Sequence, residues 1–207
     1  MKESVIKAVK ESVSVKEKFF ETHLDKVIEA AKTIADAFSN GKKLLLFGNG
    51  GSATDASHIA AEFINRFRRE RPGLPAIALN TDMAVITSIA NDYDYSEVFA
   101  RQVKSLAVAG DVVIAISTGG GSKNVLNAVE AASKKKLTIV AFTGAKGVKF
   151  ARMATIPFVV PSEDTARIQE SHITLGHILC QLVEEILFEL PAKNNRRKAA
   201  SFPSGSD

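Results

Sequence analysis

The sequence predicts a three-layer α/β sandwich built on a five-stranded parallel sheet, with long N-terminal helices ahead of it. Three observations carry this expectation. Five short apolar segments, 43–47, 75–79, 111–116, 137–142 and 155–160, alternate with helical patterns. Segments such as Val112-Val113-Ile114-Ala115-Ile116 and Leu137-Thr138-Ile139-Val140-Ala141-Phe142 show no polar–apolar alternation, so both faces need cover. Several of these segments run into turns of small residues, and ligands of open α/β sheets bind beyond the carboxyl ends of strands.

Residues 2–39 read as helix throughout. Val5, Ile6, Val9 and Val13 form one apolar stripe; Phe20, Leu24, Val27, Ile28, Ala31, Ile34, Ala35 and Phe38 form a second. Asn40-Gly41 is a C-cap signal. This length exceeds what one small sheet covers, so the first part is expected to pack on another subunit. Helices are expected at 52–70, where Ile59, Phe63 and Phe67 recur every four residues, then at 81–90, 95–107, 122–135 and 165–190, with a short turn near 147–151. Residues 1–191 read as one domain. The polar stretch 192–207 reads as a flexible tail.

Composition excludes several classes. The chain has 207 residues and one cysteine, Cys180, in an apolar helical stretch. That leaves no intrachain disulfide or cysteine-based zinc finger and fits a reducing, cytoplasmic compartment. No apolar run is long enough to span a bilayer, and no secretory leader is read. The net charge is +4, and part of the basic excess sits in Arg66, Arg68, Arg69 and Arg71 and part in Lys193, Arg196, Arg197 and Lys198. Such clusters read as a solvated face and tail; nucleic acid is not demanded.

The first strand ends in Gly48-Asn49-Gly50-Gly51-Ser52, with Gly51 or Ser52 as the expected N-cap of the next helix. Glycines let backbone approach a ligand, and a helix N-terminus offers free N–H groups to an anion. Gly48, Gly50 and Ala53 fit the dinucleotide pattern G-x-G-x-x-A, but the acid that should follow for the ribose is missing after Leu79-Asn80; the G-K-[ST] of a P-loop is absent too. A sugar-phosphate cradle remains, with Ser52, Ser117, Thr118 and Ser122 supplying hydroxyls. Capped tight turns are the plainer account of either turn alone. His58 and Glu62, four apart, share a helix face, an arrangement that is often only a surface ion pair. In the last helix Arg167, Gln169, Glu170, His172 and His177 interrupt an apolar background; a histidine in such a stripe is more often core than ligand. Asn91-Asp92-Tyr93 reads as a turn between two helices.

Together, Gly48–Ser52 with His58-x-x-x-Glu62, then Pro75–Asp82 (PAIALNTD), Ala90-Asn91-Asp92, Ile116-Ser117-Thr118, Ala166–Glu170 (ARIQE) and His177 resemble the phosphoheptose isomerases of the sugar isomerase (SIS) superfamily, which act on sedoheptulose 7-phosphate. The resemblance runs from the N-terminal helices to about residue 190. It implies a flavodoxin-like SIS fold, a homotetramer with sites at subunit interfaces, and the first step of nucleotide-activated heptose synthesis for surface glycans. It implies that Asn49, Gly50, Gly51, Ser52, Ser117, Thr118, Gly119 and Ser122 hold the substrate, chiefly its phosphate, and that Asn91, Asp92 and Gln169 hold the sugar. The positions matching divalent-metal ligands, usually zinc, are His58, Glu62, Gln169 and His177; those matching the acid/base pair are Glu62 and His177. Gln169 and His177 are about 12 Å apart along a straight helix, so they share one ion only if it lies between them or if two subunits contribute. Two positions depart from the family: Gly119, where a serine is common, and Ala166, where an aspartate is common. A non-catalytic relative that associates with the replication initiator is similar in Ile64–Phe67, Glu70–Asp82 and ARIQE, but lacks the counterparts of Glu62 and His177.

Overall fold

The computed structural model describes residues 1–188. Five parallel strands lie in the order β2-β1-β3-β4-β5: β1 (Leu44–Gly48), β2 (Ala76–Ala78), β3 (Val112–Ser117), β4 (Thr138–Gly144) and β5 (Ile156–Val160). Side chains alternate across the sheet, so Leu44 and Leu46 face one layer while Leu45 and Phe47 face the other, and all four are fully buried. The first layer is α1 (Lys2–Ser39), α2 (Gly51–Ile64) and α7 (Thr165–Phe188). The second is α3 (Met83–Asp92), α4 (Val98–Leu106), α5 (Lys123–Lys134) and the short α6 (Val148–Ala151). Pro157, which offers no N–H to a ladder, sits on the edge strand β5, where none is needed.

The N-terminal segment is one unbroken helix of 38 residues rather than several. Its second half is core, from Phe19 to Phe38, and it ends at Asn40, with Gly41 at φ +66°. Its first half runs past the sheet and leaves Val5, Ile6, Val9 and Val13 exposed; Leu24 and Ile28 are exposed as well. Arg167 ties this overhang back to α7 by donating to the Ala8 carbonyl (3.1 Å).

The helix expected at 52–70 stops at Ile64. The Arg71 guanidinium takes the carbonyls of Glu62 and Phe63 (2.8 and 2.7 Å), and the amide of Leu74 also takes that of Phe63 (2.9 Å), where later helical amides would have bonded. Phe67 keeps the four-residue repeat but stands in the loop beyond. Arg71 itself corrects the reading of a solvated basic face: its side chain is 1% exposed, against Glu184 at 2%. Helix α3 begins and ends two residues later than expected; Asp82 caps it through the Val85 amide (3.1 Å), and Asn91 and Asp92 belong to its last turn rather than to a loop. The N-cap of α2 is Gly50, one residue earlier than expected. His172 and Cys180 are core residues, as their apolar stripe suggested. The flexible tail expected at 192–207, and the basic residues Lys193, Arg196, Arg197 and Lys198, lie outside the described residues. Among those described, no helix is long and apolar enough to cross a membrane.

Candidate active site

The strand order reverses between β1 and β3, and there Gly48 pairs with Ile116, so the two glycine turns emerge side by side. In the first turn Gly50 has φ +56°, a conformation that glycine adopts without a Cβ penalty. A Cβ on Gly48 would strike Ser52 and the Ile116 carbonyl, so the close approach of the turns requires glycine. Ser52 is buried. Asn49 is held by a reciprocal amide pair with the buried Asn124 (2.8 and 2.9 Å) and by the Tyr95 hydroxyl, which donates to its Oδ1 (3.2 Å). In the second turn Thr143 donates to the Ser117 carbonyl (2.7 Å), and the Gly120 amide donates to Ser117 Oγ (3.2 Å). Ser122 is at the N-cap of α5 with its hydroxyl unused for capping. The amides of Gly119, Gly121 and Ser122 have no acceptor among the described residues. Asn49, Tyr95, Ser122 and Lys123 line a cavity of about 320 Å³ beside the turns. A larger hollow of about 560 Å³ opens at the opposite, amino-terminal ends of the strands around Lys42 and Gly110, away from all of these groups.

A second group forms further along α2. Four-residue spacing brings His58 and Glu62 together, Nε2 to Oε1 3.1 Å. α7 lies alongside, close enough that a Cβ on Gly176 would strike Ile59. This places His177 Nε2 3.2 Å from His58 Nε2. One ligand atom from each of the three residues lies within 4.8 Å of the others. In a tetrahedral zinc site with bonds of about 2.0–2.1 Å, neighbouring ligand atoms are about 3.3 Å apart, so these contacts fit such a donor set. Phe67 stacks on the His177 ring at 5.5 Å and 21°. Burial, and then the adjacent His58, hold the His177 imidazole below its usual range, while Glu62 pulls the other way.

Gln169 stands at the other end of this helix pair. Its amide fills the space a Cβ on Gly51 would need, so it faces the cradle. Asn91 and Asp92 bond to each other at the exposed end of α3 (3.0 Å). Ala166 and Arg167 open α7; Arg167 forks onto Glu170 (2.9 and 2.6 Å).

Several residues escaped the sequence reading. Asn124 and Tyr95 orient Asn49, and no local motif marks them. Glu184 did leave a signal, a carboxylate inside an apolar stripe seven residues after His177. Asp55, one turn before His58, is half-buried, and one of its carboxylate oxygens has no partner among the described residues. Burial raises its pKa to about 6 against the opposing pull of His58.

The sequence matches the SIS domain family over residues 9–144. It is 62% identical to the phosphoheptose isomerase of Thermodesulfovibrio yellowstonii, across 96% of this chain and 98% of that one. Among solved structures it is similar to the phosphoheptose isomerase of Neisseria gonorrhoeae, with TM-score 0.83, 39% identity, and 89% and 98% of the two chains covered. It is similar also to that of Francisella tularensis, with TM-score 0.85, 35% identity, and 88% and 97% covered. On a matching fold and identity across nearly its whole length, the chain belongs to the phosphoheptose isomerase family of SIS domain proteins.

Proposed function

We propose that this isomerase converts sedoheptulose 7-phosphate to glycero-manno-heptose 7-phosphate through an enediol, the first step of nucleotide-activated heptose synthesis. The reading rests above all on the two ends of α2, with an anion-ready turn at its start and an imidazole–carboxylate–imidazole group within its length. At about 1.5 Å per residue His58 lies about 9 Å beyond Ser52, and an extended seven-carbon chain reaches from its terminal phosphate to C1 over about 10 Å. A phosphate held at Asn49–Ser52 and Ser117–Ser122 therefore leaves C1 and C2 near His58, whose Nε2 is 3.1 Å from the Glu62 carboxylate.

The reaction moves a proton from C1 to C2 and a proton from the C1 hydroxyl to the C2 oxygen, with no net redox change. Glu62 takes the carbon proton from C1, exchanges it with solvent at the enediol stage, and delivers a proton to C2. His177 is the second acid–base group and carries the oxygen proton. Gly119 offers a backbone amide where a serine hydroxyl is common, and the second turn keeps Ser117, Thr118 and Ser122. Asn91, Asp92 and Gln169 hold the sugar hydroxyls.

His58, Glu62 and His177 hold zinc in this reading. Gln169 completes the set only across the two helical turns between it and His177, or from another subunit; its place by Gly51 suits the substrate role. When bound, zinc supplies Lewis-acid polarisation of the sugar carbonyl. The exposed Val5, Ile6, Val9 and Val13 favour a homotetramer joined through α1, residues 1–191 acting as one domain, and the single buried Cys180 suits the cytoplasm. The non-catalytic, initiator-binding reading gains no support: Glu62 and His177, which that relative lacks, stand in one group here.

The test is isomerisation in deuterated water. The product heptose should carry deuterium at C2. Absence of turnover by native protein, with and without added zinc, would defeat the enzymatic assignment of the site.

A further inference from the structure

Beyond the groups that touch substrate, a buried ion pair that the reaction does not use joins the loop between α2 and β2 to α7. Arg71 Nε donates to Glu184 Oε1 at 2.8 Å, with the two side chains 1% and 2% exposed. The rest of the guanidinium is spent on α2 and its exit: Nη2 donates to the Glu62 carbonyl (2.8 Å), and Nη1 to the carbonyls of Phe63, Asn65 and Pro72 (2.7, 3.3 and 3.1 Å). The carboxylate in turn accepts the amides of Phe67 (2.9 Å) and Arg68 (3.0 Å). One pair thus binds the backbone of Glu62, the backbone of Phe67 and helix α7. Glu184 is two turns beyond His177 and on the same face of α7. Phe67, whose amide Glu184 holds, stacks on the His177 ring. A buried pair is not by itself a gain in stability, since desolvation can cancel its attraction.

We infer that Arg71 and Glu184 are positioning residues, which set the spacing of Glu62 and His58 on α2 against His177 on α7. The inference deepens the reading of those three residues as a zinc-holding group and rests on it for its second readout only. Groups of this kind, one contact removed from the ligands, alter metal affinity by about 10- to 100-fold when lost.

The experiment compares metal-free native protein with Glu184→Gln and Arg71→Lys. Glutamine accepts at only one atom, and lysine keeps the charge without the fork. Folding is checked by circular dichroism and thermal melting. The first readout is the ring resonances of His58, His177 and the core His172 at fixed pH; the second is zinc affinity in competition with a chelator. In both variants the His58 and His177 rings should shift while His172 stays, and zinc should bind about 10- to 100-fold more weakly. A folded Glu184→Gln protein with unmoved His58 and His177 rings and native zinc affinity would overturn the inference; a lower melting temperature alone would then mark the pair as structural. If Glu184→Gln does not fold, Arg71→Lys decides on the same two readouts. If native protein takes up no zinc, the metal reading falls, and the ring resonances alone decide the role of the pair.

Discussion

The start and the end of α2 both serve the site, and they are built from different materials. At the start the working groups are backbone amides and hydroxyls in two glycine turns, held by strand register and by the Asn49–Asn124 amide pair. At the end they are three ring or carboxylate side chains from two helices, meeting at 3.1 and 3.2 Å. A cradle of amides suits an anion and does not depend on proton traffic. A cluster of imidazoles and a carboxylate is costly to assemble and suits chemistry in which protons move. The contrast makes one end a binding element and the other a reacting one, and their effects on catalysis should separate.

The largest expected effect is at the reacting end. His177→Gln should lower kcat by at least ~100-fold, a typical general acid–base contribution. Its KM for sedoheptulose 7-phosphate should stay within a few-fold of native, as steady-state kinetics will show. A fall in binding of the same size would erase the distinction between the ends.

At the binding end, Ser117→Ala removes one hydrogen bond to a charged group, worth about 1.5–3 kcal/mol. KM should rise about ten-fold or more with kcat little changed. An unchanged KM would mean that the phosphate sits elsewhere.

A smaller effect separates two histidines of α7. His172 is fully buried; burial depresses its pKa to about 4, although its contact with the Thr143 carbonyl pulls upward. Its folded pKa lies below the unfolded value, so the unfolded chain takes up the proton first as pH falls. This residue therefore costs no stability above about pH 6.5, and progressively destabilises the fold from there to about pH 4, by about 3 kcal/mol in all. Thermal melts of native protein and His172→Leu should converge in slope above pH 7 and diverge below 6. Parallel curves would place a charged, satisfied imidazole in the core.

The sequence made the binding end more legible than the reacting one, for physical reasons. Glycines followed by a serine and an apolar helix are a local signal, because turn geometry and helix capping act over a few residues. The parallel sheet was legible too, since segments such as Val112–Ile116 have no polar face. The meeting of His58 with His177 depends on how α2 lies along α7, with Gly176 against Ile59, and no local pattern encodes that. The end of α2 was misread because Phe67 continues the apolar repeat after Arg71, from beyond the helix, has already taken its last carbonyls. The same arginine was counted with its charged neighbours because a partner 113 positions away cannot be read from spacing.

The central claim is that Glu62 reacts while the glycine turns bind. Its most direct test is Glu62→Gln, with sugar-phosphate binding measured by calorimetry and turnover measured in parallel. The account predicts affinity within a few-fold of native and turnover reduced by at least ~100-fold. A variant that still turns over at near the native rate, or that loses binding and turnover together, would contradict it.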